Sequence, residues 1–391
     1  MEVGHQVTVK VGAVAHGGHC VARHDGQVVF VRHALPGEEV VAEISEIGPK
    51  GRYVRADVRE VLTASPHRVT PPCRFVGECG GCDWQHATLE AQRELKAVVV
   101  AEQLERLGKI SRSVSVEALP EERDGLGWRT RVSFTVDGNG AAGLLRHRSH
   151  EVVPIDKCLI AHPLVTASQV TSRTWFGVDH VEVAASVSTG VTSIATDRSG
   201  GTRLQEQAAG RSWQVSAGGF WQVHPAAADT LASAVIEQLA PRPGEHALDL
   251  YAGVGLFAGA LVSRLGPGGR VDVVEAHPEA ASDAEVNLGS EVTVHVHQQR
   301  VDRFLSSTGL RHCDLVVLDP PRAGAGPSVL AKVTRFAPRA ISYVACDPAA
   351  LARDVALLSD LGYDLGALRA FDLFPMTHHV ECVAQFVRRD P

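Results

Sequence analysis

The sequence predicts two β-rich segments followed by a C-terminal α/β domain of the Rossmann-like type. In residues 1–62, glycine and proline interrupt short apolar runs, which is the pattern of a small barrel such as an OB-fold. Residues 113–212 carry further β-type runs. Beyond residue 245, an apolar strand enters a glycine turn and a helical segment, and more buried strands follow. A chain of 391 residues is long enough for two or three domains, each with its own core.

Composition and charge narrow the class of protein. The net charge of −7 and the isoelectric point near 6.2 argue against a surface that binds polyanions throughout, so a nucleic-acid enzyme would need a local basic surface. The chain has no apolar run of about 18 residues, the length of a membrane span, and no secretory signal pattern at its N-terminus. We therefore expect a soluble cytoplasmic protein with no membrane partner. Eight cysteines in such a chain indicate a metal, a cluster or catalysis more than disulfides.

The N-terminal segment carries a hairpin signal and a longer string of diagnostic residues. An Asp-Gly pair at 25–26 lies between two apolar runs and predicts a hairpin. The string over residues 16–38, from His-Gly-Gly to Pro-Gly-Glu, resembles a TRAM domain, an OB-like barrel, and the resemblance implies RNA binding. Residues 1–62 hold seven Lys and Arg against eight Asp and Glu, so charge alone does not favour RNA. A barrel used for packing or for contact with another protein is the alternative.

A cysteine motif follows the barrel. Cys73, Cys79 and Cys82 are spaced C-x5-C-x2-C, and the glycines between the last two let the backbone aim three thiolates at one point. Three thiolates suit an iron–sulfur or a zinc centre. The fourth ligand must come from elsewhere, and Cys158 is a better candidate than Cys20, which falls in the barrel. A [4Fe–4S] cluster, structural zinc and a redox dithiol at Cys79 and Cys82 all remain open from these residues.

The middle of the chain predicts a helix and a candidate RNA surface. Residues 88–108 are rich in helix-forming residues, with Thr88 as the N-cap and Gly108 as the C-cap. Aromatic and basic side chains occur together at 128–131 and 145–148, where they could face RNA or form a solvated strand face. We expect the helix to join the C-terminal domain. The predicted division is 1–62 for the TRAM domain, 66–89 with 113–212 for a central domain, and 90–112 with 213–391 for the C-terminal domain.

Residues 246–255 predict a nucleotide-cofactor site. An apolar strand runs into the turn of Gly253 and Gly255, where the chain can approach a ligand closely. Glu275 ends the next strand, 26 residues after Asp249, and can accept both ribose hydroxyls of an adenosyl group. NAD is the competing cofactor, but the third glycine of the dinucleotide motif is absent. The Asp-x-Tyr-x-Gly-x-Gly string looks like motif I of a class I methyltransferase, which implies S-adenosylmethionine.

Three residues at the ends of apolar runs are candidates for chemistry. Cys346 follows the run 340–345 and precedes an Asp-Pro turn, which suits a nucleophile, although an isolated buried cysteine is usually structural. Asp319 precedes two prolines that fix its turn, so its carboxylate can be held in a site. Glu381 lies at the entrance to the run 382–387, where a desolvated carboxylate suits a general base; an exposed strand end is the alternative.

In their order along the chain, these motifs resemble the iron–sulfur branch of the class I S-adenosylmethionine-dependent RNA uracil-5-methyltransferases. The resemblance is carried by the cysteine block, the motif at 249–255, Asp-Pro-Pro-Arg at 319–322, the strand before the cysteine at 346, and Phe-Pro-x-Thr-x-His-Val-Glu at 374–381. It implies a seven-stranded methyltransferase domain, Cys346 as the nucleophile that adds to uracil C6, and Glu381 as the base that removes the C5 proton. It also implies a [4Fe–4S] cluster on Cys73, Cys79, Cys82 and Cys158.

The resemblance further implies a cofactor pocket and a substrate. The residues that match cofactor-contact positions are Gln222, Tyr251, Gly253, Gly255, Glu275, Asp302 and Asp319. The implied substrate is a uridine in structured RNA, with 23S ribosomal RNA favoured and transfer RNA second, and a monomer is expected. A different class of function is a non-catalytic RNA-binding or assembly factor that keeps the methyltransferase fold. The joint presence of Cys346 and Glu381 argues against that class.

Two positions depart from the family pattern. Leu256 stands where the family often has Asn, so a hydrogen bond to the cofactor is either absent or supplied by the backbone. Asp347 follows the cysteine where Asn is commoner. An acid beside the thiol would raise the pKa of the thiol unless the acid is neutralised.

Overall fold

The computed structural model describes residues 1–120, 124–291 and 293–389. Within these ranges the strands form four sheets. Apolar side chains fill a core in the N-terminal part, another in the central part, and one on each face of the C-terminal sheet. Among the described helices, none is long and apolar enough to cross a membrane.

The N-terminal sheet is built from short alternating strands. Its elements are β1 (Gln6–Lys10), β2 (Cys20–His24), β3 (Gln27–Arg32), β4 (Glu39–Ile47) and β5 (Tyr53–Thr63). They lie in the order β1-β4-β5-β3-β2. The predicted hairpin is confirmed: His24 pairs with Gln27, and Asp25 and Gly26 both have positive φ, as a two-residue turn of this kind requires.

The predicted barrel is not confirmed as a closed one. In the described part of the N-terminal domain, no strand ladder joins β1 to β2, the two outer strands of the sheet. Two backbone hydrogen bonds bridge part of the gap, from the Gly12 N–H to the Val21 carbonyl at 2.7 Å and from the Val21 N–H to the Ala13 carbonyl at 2.8 Å. The loop after β1, and not strand pairing, therefore closes this edge in part.

The first long helix lies where the sequence predicts it. Helix α1 (Leu89–Arg106) begins after Thr88, whose Oγ1 accepts a hydrogen bond from the Ala91 N–H at 3.3 Å. The C-cap is Leu107, so the predicted cap Gly108 lies one residue beyond it.

The central part is an antiparallel sheet of five strands. After β6 (Val116–Glu117) the elements are β7 (Arg131–Val136), β8 (Ala142–Leu145), β9 (Val152–Pro154), α2 (Pro163–Ala167), β10 (His180–Ala185) and β11 (Thr192–Thr196). The strand order is β11-β10-β7-β8-β9. A hairpin of β12 (Leu204–Ala208) and β13 (Arg211–Val215) follows. Its Trp213 is buried in a core of the C-terminal domain, so the hairpin packs with that domain although the predicted boundary lies at 212.

The C-terminal domain is a doubly wound α/β sheet. Its elements are α3 (Ala227–Leu239), β14 (His246–Leu250), α4 (Leu256–Leu265), β15 (Arg270–Glu275), α5 (Pro278–Leu288), β16 (Val294–Gln298), α6 (Val301–Ser307), β17 (Leu315–Leu318), α7 (Gly326–Thr334), β18 (Ala340–Ala345), α8 (Pro348–Asp360), β19 (Tyr363–Phe371) and β20 (Glu381–Arg388). The strand order is β16-β15-β14-β17-β18-β20-β19-β6. The strands from β16 to β18 are parallel, whereas β20 runs antiparallel to both of its neighbours.

The described sheet has eight strands where seven are predicted. The added strand is β6, which pairs in parallel with the end of β19 through Val116 and Glu117. Helix α1 packs against α8 and β6, and its Val100 and Leu104 lie in a core of the C-terminal sheet. Its first half packs in the N-terminal core through Ala91, Leu95 and Val99. The assignment of the helix to the C-terminal domain stays a prediction.

The strand order determines where a ligand can bind. Strands β17 and β18 are buried along their whole length, because elements pack on both faces of the sheet. The chain winds outward in opposite directions from β14 and β17. In open α/β sheets, such a switch point forms a ligand crevice outside the carboxyl ends of the strands. Tyr251 and Asp319 follow directly after β14 and β17.

Candidate active site

The two candidate catalytic residues lie side by side at the edge of this crevice. Strands β18 and β20 are antiparallel, and their last pair is Ala345 with Cys382. The same register sets Cys346 opposite Glu381, one residue further on. Opposite residues of an antiparallel pair have Cβ atoms about 4.5–5.5 Å apart and share one face. The structure therefore brings together a thiol and a carboxyl that are far apart in sequence.

The protonation of this pair follows from burial. Burial raises the pKa of the Cys346 thiol to about 11, and the charges of Glu381 and Asp319 act in the same direction. Burial also raises the pKa of Glu381 well above its ordinary value, with the charge of Asp319 adding to the effect. Arg322 lowers the pKa of both groups. In the free protein both groups are therefore held towards their neutral forms.

Two aspartates stand beside the pair at the switch point: Asp249 is fully buried and Asp319 is half-buried. The Asp319 N–H donates to the Leu250 carbonyl at 3.3 Å, and burial together with the charge of Asp249 raises the pKa of Asp319 to about 7. Asp249 Oδ2 accepts a hydrogen bond from the Ala258 N–H at 2.8 Å. Within the described chain, its Oδ1 is buried without a partner. An orphaned carboxylate oxygen at this edge suits a polar ligand.

The glycines of the turn have different roles. Gly253 has a φ of +56°, and a Cβ added there would meet no atom within 4 Å among the described residues. Its N–H donates to Glu275 Oε2 at 2.9 Å. Gly255 has a φ of +91°, and a Cβ there would lie 2.5 Å from Leu288 Cδ1. Gly253 thus leaves open space on the ligand side, whereas Gly255 permits the close packing of α4 against α5.

The other predicted cofactor residues surround the same edge. Glu275 Oε1 accepts a hydrogen bond from the His277 N–H at 2.6 Å. Tyr251 adopts a left-handed φ of +63°. Burial raises the pKa of its hydroxyl to about 12, and the next largest contribution comes from Asp302. Asp302 itself is bonded to Arg300 at 3.0 Å. The geometry thus groups Tyr251 with Asp302 and joins Glu275 to the glycine turn.

A backbone anchor positions Gln222, and packing in the core positions Leu256. The residue after Gln222 is anchored, because the Val223 carbonyl accepts hydrogen bonds from the N–H and the Oγ1 of Thr130, at 2.8 and 2.9 Å. The side chain of Gln222 is half-buried, and its contact with a cofactor stays a prediction. Leu256 is buried in the core behind the turn, so its side chain offers no hydrogen bond at the position where the family often has Asn.

Asp347 has partners of its own, which is the condition under which the sequence predicts that it leaves the pKa of the thiol unchanged. Its Oδ1 accepts a hydrogen bond from the Ala350 N–H at 2.7 Å and caps helix α8. Its Oδ2 lies 3.2 Å from Nε2 of His16, in the N-terminal domain. The groups that raise the pKa of Cys346 are its own burial, Glu381 and Asp319. The carboxylate beside the nucleophile is thus already neutralised by two partners.

The loop that leads to Glu381 is held by buried polar residues of α1. Lys96 forms an ion pair with Asp372, and both side chains are fully buried. The Lys96 ammonium also donates to the Phe374 carbonyl at 3.1 Å. Gln92 Oε1 accepts a hydrogen bond from the Met376 N–H at 2.7 Å. Sequence reasoning missed these residues; the available signal was a pair of polar residues, Gln92 and Lys96, one helical turn apart beside the apolar positions of α1.

The four predicted ligand cysteines converge on one small cavity. Cys73, Cys79, Cys82 and Cys158 all line a cavity of about 60 Å³, and burial raises the pKa of the last three thiols. Within the described ranges, no group of three or more potential ligands has the arrangement of a single-ion site. The weaker candidate, Cys20, lies apart in the N-terminal core and donates its S–H to the Ala34 carbonyl at 3.3 Å.

Arg32, at the end of β3, lies close enough to these cysteines to interact with their charge. Its side chain is 6% exposed, and its nearest carboxylate is Asp57, 3.9 Å from Nη1. In the part of the chain that the structure describes, its Nε and Nη2 have no hydrogen-bond partner. Burial lowers the pKa of Arg32, and negative charge on Cys79 and Cys82 would raise it. A buried cation with orphaned donors suits a neighbouring site that carries negative charge.

Fold and site together define a class I methyltransferase-type domain with an added N-terminal domain. Residues 1–58 match the family model of the TRAM domain, and residues 211–389 match the model described as tRNA (Uracil-5-)-methyltransferase. The fold is similar to the crystal structure of Pyrococcus abyssi tRNA (uracil-54, C5)-methyltransferase in complex with S-adenosyl-L-homocysteine. That likeness has a TM-score of 0.72 and 21% identity and covers 97% of this chain and 99% of the other.

Curated relatives match over the whole length. An uncharacterized RNA methyltransferase of Streptomyces avermitilis is 47% identical over 424 residues, which covers 98% of each chain. One from Bifidobacterium longum is 36% identical and covers 98% of this chain and 97% of its own. The protein therefore belongs to the RNA methyltransferases. Its residues 1–58 match the TRAM domain, and its residues 211–389 match the tRNA (Uracil-5-)-methyltransferase model.

Proposed function

We propose that the protein transfers a methyl group from S-adenosylmethionine to C5 of a uridine in RNA, with Cys346 as nucleophile and Glu381 as general base. The observation that carries the proposal is the register of β18 and β20, which sets these two residues opposite one another beside Asp319. C5 and C6 are adjacent atoms of the ring, so the two groups that act on them must be neighbours.

The chemistry requires one thiolate and one base. The Cys346 thiolate adds to C6, and the electrons of the C5–C6 double bond move towards O4. C5 then takes the methyl group, and the sulfonium of S-adenosylmethionine leaves as a neutral thioether. Glu381 removes the C5 proton, the C5–C6 double bond re-forms, and the thiolate leaves C6. The target base has to leave its stack to reach the thiol.

Electrostatics support these roles. Burial raises the pKa of Cys346 and of Glu381. A sulfonium in the crevice would favour the anionic form of each group, as Arg322 already does. A carboxylate whose pKa is raised towards the working pH is also a stronger base than a solvated one.

The cofactor pocket is proposed at the carboxyl ends of β14, β15 and β17. The open space at Gly253 and the orphaned Asp249 Oδ1 fit a polar ligand there. The carboxylate of Glu275 would accept the ribose hydroxyls, with Gln222, Tyr251, Gly255, Asp302 and Asp319 completing the pocket.

A [4Fe–4S] cluster on Cys73, Cys79, Cys82 and Cys158 fits the donor set and the buried Arg32 beside it. When bound, the cluster would join two segments that are far apart in sequence. None of its ligands belongs to the methyl-transfer residues, so we assign it a structural role. Structural zinc is the alternative, which iron and zinc analysis of anaerobically prepared protein would separate.

The RNA target is proposed as 23S ribosomal RNA, with transfer RNA as the alternative. The similar Pyrococcus abyssi enzyme is a tRNA (uracil-54, C5)-methyltransferase, which favours the alternative. We further propose that residues 1–62 contact RNA, that the chain divides at the boundaries given above except for the β12–β13 hairpin, and that the protein is a cytoplasmic monomer. Mass-spectrometric mapping of 5-methyluridine in both RNA classes, from cells with and without the gene, tests the target. Loss of the modification from neither class would favour a non-catalytic RNA-binding or assembly factor.

A further inference from the structure

A loop of the TRAM domain reaches the catalytic domain at two points. Gly18 packs so closely that an added Cβ would lie 2.8 Å from the Cβ of His378, in the loop before Glu381. The Gly18 carbonyl accepts a hydrogen bond from Trp84 Nε1 at 2.9 Å. Two residues earlier, Nε2 of His16 lies 3.2 Å from Asp347 Oδ2. The loop thus contacts both segments that carry the candidate catalytic residues.

The conformation of this loop is specified by its sequence. Gly17 and Gly18 have φ values of +94° and +83°, which side chains rarely adopt. The turn is closed by hydrogen bonds from the Ala15 N–H to the His19 carbonyl at 2.7 Å and from the Gly18 N–H to the Ala15 carbonyl at 3.2 Å. His16 therefore lies in a short turn that is closed by its own hydrogen bonds, and not in a loop without internal hydrogen bonds.

Asp347 connects this loop to the nucleophile. One carboxylate oxygen caps helix α8 by accepting the Ala350 N–H, and the other faces His16. Cys346 is the single residue between the last residue of β18 and this cap. Because both carboxylate oxygens are held, the backbone of Asp347 has little freedom to rotate. The backbone of the adjoining residue, Cys346, is restricted as a result.

The charges around His16 agree with an ion pair. The hydrogen bond to Asp347 is the largest effect on His16 and raises its pKa; Glu102 also raises it, and burial and Arg353 lower it. Burial would raise the pKa of Asp347, but the bond to His16 and the backbone of the helix cap hold it low. The pair is therefore charged below the raised pKa of His16 and is lost as the pH rises through it.

We propose that His16 is a positioning residue for the methyl-transfer reaction: by holding Asp347, the TRAM domain fixes the exit of β18 and aims the Cys346 thiol. This inference rests on the proposed function and deepens it, because it makes the RNA-binding domain part of the active-site frame. RNA that engages the TRAM domain would then be presented to a nucleophile whose orientation that same domain sets.

The test compares His16→Gln, Asp347→Asn and the double variant under single-turnover conditions. Asp347→Asn keeps an oxygen for the helix cap and removes the charge that faces His16. We expect each single variant to slow methyl transfer about 5- to 20-fold, with the RNA dissociation constant unchanged within twofold, and the double variant to be no slower than the slower single variant. His24→Gln is the matched control, since this histidine faces Asp25 on the same domain, away from the catalytic segments.

A pH profile separates positioning from mere stability. Wild-type protein should be faster than His16→Gln at low pH. This advantage in rate should shrink as the pH rises through the raised pKa of His16, so that the two profiles converge at high pH. Equal rates for His16→Gln and wild type, or additive losses in the double variant, would overturn the positioning role of His16. Neither result would overturn the proposed function. Wild-type protein that shows no Cys346-dependent methyl transfer would overturn the proposed function and, with it, this inference.

Discussion

Cys346 and Glu381 lie one residue beyond the last pair of two antiparallel strands, Ala345 with Cys382, and the charge of Glu381 acts on the Cys346 thiol. The thiol comes from the exit of a buried parallel strand, and the carboxyl comes from the entrance of the antiparallel strand beside it. This topology lets one sheet edge present a nucleophile and a base to adjacent atoms of a planar ring. The switch point lies on the same edge, where Asp319 directly follows the next strand.

Glu381→Gln should stop the reaction after methyl transfer. The variant keeps the shape of the side chain but cannot take the C5 proton, so release of methylated RNA should fall about 10²- to 10⁴-fold. A covalent complex that carries the labelled methyl group should accumulate on denaturing gels. Glu279→Gln, in the first turn of α5, is the control and should behave as wild type. Normal release of methylated RNA from Glu381→Gln would exclude this carboxylate as the base.

The alkylation rate of Cys346 should depend on pH and on the charge of the ligand. With a thiol pKa of about 11, the thiolate fraction and the rate with iodoacetamide should rise roughly tenfold per pH unit between about pH 7 and pH 10. S-adenosylmethionine should speed alkylation at pH 8 relative to S-adenosylhomocysteine, because only the former carries a positive charge on its sulfur. Peptide mass spectrometry measures the rate, with buried Cys313 as an internal reference. Equal rates with the two ligands would contradict a sulfonium beside the thiol.

The two glycines of the turn should respond differently to alanine. Gly255→Ala places a methyl group 2.5 Å from Leu288 Cδ1 and should lower the free energy of unfolding by about 1–3 kcal/mol or more. Gly253→Ala meets no atom of the described protein, so it should cost less stability but weaken the binding of S-adenosylhomocysteine. Denaturant titration and calorimetry measure the two quantities. Equal cofactor affinity in wild type and Gly253→Ala would place the ligand elsewhere.

The buried Lys96–Asp372 ion pair should behave as a coupled unit. Lys96→Ala leaves a buried carboxylate unpaired and should destabilise the protein by about 3–5 kcal/mol. The double change Lys96→Met with Asp372→Leu should recover most of that loss. Arg106→Ala breaks an exposed pair with Glu102 and should change stability by about 0.5 kcal/mol or less. A double variant as unstable as Lys96→Ala would show that the pair is not the cause.

Loss of iron should follow the removal of a proposed cluster ligand but not the removal of another cysteine. Cys158→Ser should lose iron and the visible absorbance of anaerobically prepared protein, whereas Cys20→Ser should keep both, because Cys20 lies in the N-terminal core. Protein that binds zinc in place of iron, with the same dependence on Cys158, would replace the cluster with a zinc site.

Local signals in the sequence predicted local structure well. The Thr88 N-cap and the Asp-Gly hairpin follow from backbone chemistry that acts within a few residues. The glycine turn and the acid at the end of the next strand were also visible, because a nucleotide site has a fixed spacing along the chain.

Long-range partners could not be predicted in the same way. Strand β6 has only two residues, so its pairing with β19 leaves no periodic pattern. Whether Asp347 is neutralised could not be predicted, because its partner His16 lies in another domain and nothing in the sequence links the two. Lys96 looked like an ordinary helix residue, because its counter-ion Asp372 comes from the far end of the chain.

The most direct test of the account uses RNA in which the target uridine is replaced by 5-fluorouridine. Fluorine at C5 cannot be removed as a proton, so the reaction should stop with the methylated base bonded to the protein. We predict an adduct that resists denaturation, requires S-adenosylmethionine and gives a cross-linked peptide containing Cys346. Its absence in wild-type protein, or its persistence in Cys346→Ala, would contradict the central claim that this thiol is the nucleophile.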